Sequence, residues 1–185
     1  VKDKIISTLG KLCVVKSHAI FITSFFLFIL IKILLEYDRD LRHWIVEMGD
    51  IFQIVIPLYV VVPVIWKRDI KGLKQMLKIF LIVLGITWTF KLGLSELVGI
   101  HHIRPSGGSM SFPSGHTAAA FSGAIFLSIR YGWKYFMISV PLAFFVGWSR
   151  IYGNAHWPSD VITSIFLCIT AGLFLVNRHK VDTYL

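Results

Sequence analysis

The chain has 185 residues, 56% of them hydrophobic, and a mean hydropathy of +0.72. A water-soluble domain of this length does not need so much apolar surface, so one membrane domain over residues 1–185 is expected. Lysine and arginine outnumber aspartate and glutamate by 19 to 10, for a formal charge of +9. The basic residues fall in short blocks between apolar runs, which marks membrane topology and argues against a nucleic-acid-binding stripe.

The N-terminal segment sets Ile5, Ile6, Leu9 and Leu12 against lysines, the pattern of a helix lying in the headgroup layer or capping the bundle. No small-residue cleavage site follows it, so no cleaved signal peptide is expected. Six apolar stretches then follow, at about 18–36, 51–66, 77–97, 112–130, 135–152 and 160–177. Each approaches the roughly 20 residues that cross a hydrocarbon core, and together they predict an all-α bundle of six membrane spans. Between the first two, Leu41, Trp44, Ile45 and Met48 recur at helical spacing opposite Asp40, Arg42, His43 and Glu47. That segment reads as a second interfacial helix or a cap on the bundle. The stretch at 112–130 is rich in small residues, including Ala118, Ala119, Ala120, Ser122, Gly123 and Ala124, and is expected inside the bundle.

Lys2, Lys4, Lys11 and Lys16, then Lys67, Arg68, Lys71, Lys74 and Lys78, then Arg130 and Lys134, and finally Arg178 and Lys180 share one side of a six-span chain. That side is predicted to be cytoplasmic, with 67–78 forming one of its connections. Asp38, Asp40, Glu47 and Asp50 fall on the opposite side. Cys13 and Cys168 have no partner of metal-ligand spacing and read as free thiols.

The outer ends of the later stretches carry ionisable groups, which are expensive near a bilayer and mark function by default. Pro113-Ser114-Gly115-His116 opens an apolar helix, where free N–H groups can hold an oxyanion and His116 can protonate a leaving alcohol. Arg150 ends the next stretch, and His156 precedes Asp160 by four residues. A carboxylate there can orient the imidazole while its other nitrogen attacks phosphorus, and a guanidinium can grip the phosphate through two N–H groups. Arg104 adds a second guanidinium. Lys91 either snorkels to headgroups or points at the phosphate. His101 and His102 read as loop residues near the surface, and the five outer histidines, which are these two with His43, His116 and His156, show no zinc-ligand spacing.

Arg104-Pro105, Pro113-Ser114-Gly115-His116 and Ser149-Arg150-x5-His156-x3-Asp160 together resemble the three-part motif of the type 2 phosphatidic acid phosphatase (PAP2) superfamily. The resemblance covers 91–160 and is similar to the family's six-span membrane branch. It implies a metal-independent lipid phosphatase without cofactor. His156 would be the nucleophile, Asp160 its orienting carboxylate and His116 the general acid. Lys91, Arg104, Ser114, Gly115 and Arg150 would bind phosphate. The family's first-motif lysine stands seven positions before its arginine, where this chain has Leu97; Lys91 is thirteen positions before Arg104. Six extra helical residues would displace that lysine by about 9 Å. The implied substrates are lipid phosphomonoesters or diphosphates, such as undecaprenyl diphosphate, phosphatidylglycerol phosphate or a lipid A phosphate. The implied location is a bacterial inner membrane, with the site on the periplasmic or external face. Phosphoryl transfer to a second lipid is the competing enzymatic reading. A small transporter is the non-enzymatic one, and it would scatter charges along the spans instead of gathering them at one end.

Overall fold

The structure, a computed structural model, describes Thr23, residues 41–97 and residues 103–179, with the side chains of 94–97 excepted. The expected stretch at 18–36, the N-terminal interfacial segment, His101 and His102 lie outside these residues. Five helices make up the described fold: α1 (Leu41–Trp66), α2 (Ile70–Leu97), α3 (Gly115–Tyr131), α4 (Trp133–Tyr152) and α5 (Pro158–Leu175). All but α3 are long and apolar enough to cross a membrane.

The small-residue helix is central, packing against each of the other four. Its lack of bulk allows this. A Cβ added at Gly123 would come within 3.2 Å of Ile56 and 3.3 Å of the Pro57 backbone, so α1 and α3 meet at close range there. Ala118, Ala120 and Ala124 are fully buried, and Phe121 and Phe126 fill the space beside them. Leu81, Phe166, Leu173 and Phe174 face outward, as lipid-facing apolar residues do.

Two expectations are corrected. No separate interfacial helix precedes the first described span, because 41–50 is continuous with it in one 26-residue helix. Met48 and Gly49 on that segment are buried, and Arg150 of α4 hydrogen-bonds its Val46 carbonyl, which draws the segment into the bundle. The basic connection at 67–78 is also shorter than expected. Asp69 Oδ1 accepts from the Gly72 N–H at 2.8 Å, an N-cap that starts α2 at Ile70, so Lys71, Lys74 and Lys78 lie on the helix.

At this basic end Asp69 also receives Arg130 through two nitrogens, at 2.7 and 2.5 Å, and the Tyr131 hydroxyl at 3.0 Å. Burial would raise the Asp69 carboxyl, but these donors outweigh it and hold the group down at about 2. Arg130 Nη1 further donates to the Asn177 carbonyl at 2.7 Å, so one buried ion pair joins the α1–α2 turn, the end of α3 and the segment after α5. The motif residues all lie at the other end of the helices.

Candidate active site

Three backbone turns meet at that end. After α4 the chain curls back on itself, with the Ala155 and His156 N–H groups donating to the Arg150 carbonyl at 2.9 and 3.3 Å. Asn154 sits at φ 55, a left-handed conformation that asparagine tolerates, and this lets the curl close within a few residues. The 104–108 turn closes through the Arg104 N–H to the Gly108 carbonyl and the Gly107 N–H to the Arg104 carbonyl. Ser106 N–H donates to the Asn154 carbonyl at 3.1 Å, and Trp157 Nε1 donates to the Ile103 carbonyl at 2.9 Å. The third turn opens α3. Ser114 N–H donates to the Asp160 carbonyl at 3.2 Å, and Ser164 Oγ donates to the Ser114 carbonyl at 2.9 Å. The three motifs are thereby tied together by their own main chains.

Within this frame His156 is 2% exposed, with Nδ1 3.6 Å from Asp160 Oδ2. That is an electrostatic contact, longer than a hydrogen bond. Asp160 Oδ2 is instead held by Ser111 Oγ at 2.5 Å and by the Trp157 N–H at 3.0 Å. The second of these caps the start of α5 and fixes the carboxylate toward the imidazole. Burial, then the positive charges of Lys91 and Arg104, push the His156 imidazole down to about 4 against the smaller opposing pull of Asp160. Its ring is therefore neutral at pH 7, with a lone pair available.

Lys91 is 8% exposed and turned inward, its Nζ donating to the Met110 carbonyl at 2.7 Å. It does not snorkel. The residues from Lys91 to Leu97 are helical, yet the lysine stands level with the start of α3, because a Cβ added at Gly115 would lie 3.7 Å from its Cε. Its charge acts on Arg104, Asp160 and His156. Arg104 acts on both imidazoles, and its buried Nε has no hydrogen-bond partner among the described residues. Ser114 is fully buried. Its hydroxyl is 2.9 Å from Thr117 Oγ1 and accepts from the Thr117 N–H at 3.4 Å, so it serves as the N-cap of α3. The N–H groups that follow at Gly115 and His116 open the helix.

Arg150 is enclosed, at 3% exposure, and held from three directions. Nε donates to Ser149 Oγ at 3.2 Å, Nη2 to the Val46 carbonyl and Nη1 to Asp50 Oδ1 at 2.6 Å. The same Asp50 oxygen lies 3.0 Å from His116 Nε2. Sequence reasoning placed Asp50 only among the outer acidic residues and did not single out Ser111. Asp50 is 100 positions from Arg150, so no local motif links them, although an acid at the head of an apolar run was a signal in itself. Among the described residues no three His, Cys, Asp or Glu side chains converge as a metal-binding group.

Five cations or imidazoles thus gather at one end of the bundle, beside the start of α3: an arrangement able to bind a phosphate and to exchange a proton and a phosphoryl group with it. The chain as a whole is similar to known proteins. The sequence profile of the PAP2 superfamily matches residues 100–183. A lipid A 4'-phosphatase of Helicobacter pylori is 32% identical over 141 residues, which cover 72% of this chain and 70% of that protein. A lipid A 1-phosphatase of Porphyromonas gingivalis is 40% identical over 74 residues, 38% of this chain but only 17% of that longer protein. The fold is similar to the crystal structure of Aquifex aeolicus LpxE, with a TM-score of 0.54 and 23% identity over 79% of this chain and 92% of that one. With the motif residues gathered and a relative matched over most of its length, the chain belongs to the PAP2 superfamily, on its membrane phosphatase branch.

Proposed function

We propose that this protein hydrolyses a phosphomonoester or diphosphate carried by a membrane lipid, through a phosphohistidine at His156. The observation that carries the reading is the convergence of His116, His156, Lys91, Arg104 and Arg150 at one end of an apolar helix bundle. Arg104, Arg150, Lys91 and the N–H groups of Gly115 and His116 hold the phosphate and meet the charge that develops in the transition state. His156 attacks phosphorus through Nε2, forming a P–N bond as the bond to the leaving oxygen breaks. Asp160 steadies the positive charge that grows on the ring. His116 gives its proton to the leaving oxygen, then takes one from the water that attacks phosphorus as the P–N bond breaks. Orthophosphate leaves and His156 is restored.

In a six-span chain, as the sequence leads us to expect, the basic end lies in the cytoplasm and the site at the outer face of a bacterial inner membrane. The lipid body lies against the apolar helices while its phosphate enters the polar end. The relatives make a lipid A phosphate the first substrate to test, ahead of undecaprenyl diphosphate and phosphatidylglycerol phosphate. Purified protein in detergent is expected to release orthophosphate from at least one of the three. His156→Ala should abolish the release and EDTA should leave it intact. Release from none of these lipids, or phosphate appearing only on an added acceptor lipid, would contradict hydrolysis. Loss on chelation that a divalent ion restores would contradict the mechanism.

A further inference from the structure

Among the described residues of this site, Asp50 has a position that binding or transferring a phosphoryl group does not explain. A single oxygen of its carboxylate lies 2.6 Å from Arg150 Nη1 and 3.0 Å from His116 Nε2. Those are the two donors that must meet the phosphate: one to bind an oxygen, the other to protonate the leaving one. The remaining Arg150 nitrogens already have acceptors in Ser149 and Val46, so the guanidinium is fixed and its open side faces Asp50. The Asp50 side chain is 44% exposed, against 4% for that of Arg150, so the carboxylate has room to withdraw while the guanidinium does not.

We propose that Asp50 is a specificity-determining positioning residue whose carboxylate occupies, in the free site, the point that a phosphate oxygen takes in the bound one. The inference rests on the phosphatase reading and adds to it. In the free site Asp50 spares Arg150 the penalty of an unpaired buried charge and keeps both donors aimed at one point. A phosphate arriving there must displace it, and the displaced carboxylate repels the phosphate from close by. That repulsion acts on substrate and product alike. Only the lipid substrate is concentrated in the same bilayer, however, so the effect falls chiefly on free orthophosphate and clears the site after turnover.

The test compares wild type with Asp50→Asn and Asp50→Ala, each purified in detergent and shown monodisperse by size exclusion. Orthovanadate and orthophosphate binding are measured by calorimetry, and kcat and KM with a lipid phosphomonoester. Both substitutions are expected to tighten vanadate and orthophosphate binding by about ten-fold or more, the effect of removing one like charge at close range. KM should fall with them, and kcat should fall too as product release slows. Asp50→Glu, which keeps the charge, should bind both anions within about three-fold of wild type. A substitution that merely damaged the site would not improve binding. Unchanged or weaker anion binding in a monodisperse Asp50→Asn would overturn the inference, as would Asp50→Glu binding as tightly as Asp50→Asn. Calorimetry needs no turnover, so a wild type inert toward every lipid phosphate would overturn the phosphatase reading and still leave the Asp50 comparison readable.

Discussion

Lys91 donates to the Met110 carbonyl and lies within electrostatic range of Arg104 and His156, although its spacing from Arg104 departs from the family motif. If its ammonium meets the phosphate, Lys91→Ala should lower kcat/KM by about 30- to 4000-fold, the roughly 2–5 kcal/mol of an unmatched buried charge. Arg104→Ala is the control; near-wild-type kinetics for Lys91→Ala beside a crippled Arg104→Ala would remove the lysine from the site. His156 carries the pH prediction. Its folded value of about 4 lies below the ordinary 6.5, so the ring stays neutral above about pH 4 and loses its nucleophilic lone pair only as pH falls through that value. In ¹⁵N-histidine NMR, with His156→Gln for assignment, the resonance should titrate near 4; a midpoint near 6.5 would contradict the buried, cation-flanked setting. The motif residues were legible in the sequence because they are adjacent in short strings. Asp50 and Ser111 were not, since each reaches its partner across a long stretch of chain and only packing brings them together.

At the scale of helices, the site depends on how closely α1 approaches α4. A Cβ added at Gly49 would fall 1.9 Å from Ser149 Oγ and 2.5 Å from Arg150 Nη2, atoms of buried side chains that are already hydrogen-bonded. Gly49→Ala should therefore push the helices apart, misalign Arg150 and lower kcat/KM by about 100-fold, the scale of a displacement of roughly 1 Å at a reacting centre. Gly85→Ala, on α2 with nothing near the added carbon, should stay near wild type. Equal kinetics for the two variants would show that this approach does not position the guanidinium. Apolar runs and small-residue content made the helices and the central place of α3 legible. Two boundaries were not. The helical pattern at 41–48 looks the same whether the segment lies in the interface or continues a span, and here Arg150 decides by gripping Val46 and Asp50. The lysines at 71, 74 and 78 look like a loop by charge alone, but the Asp69 cap had already begun α2.

Charge divides the described residues between two ends of the helices. Asp69 and Arg130 lock one end as a buried pair amid the lysines, while the other gathers the motif histidines and arginines. In the proposed topology the first end is cytoplasmic. An impermeant thiol reagent on intact cells should then modify Asn154→Cys and spare Lys71→Cys, and the reverse pattern would invert the topology. The central claim is that a lipid phosphoryl group passes through His156. Rapid quenching of the purified enzyme with a lipid substrate carrying ³²P in its phosphate tests it most directly. The account predicts a label that is stable to base and labile to acid, that maps to the peptide containing His156 and that is absent from His156→Ala. Phosphate release by a His156→Ala enzyme at a tenth of the wild-type rate, or a label of that kind on any other residue, would contradict it.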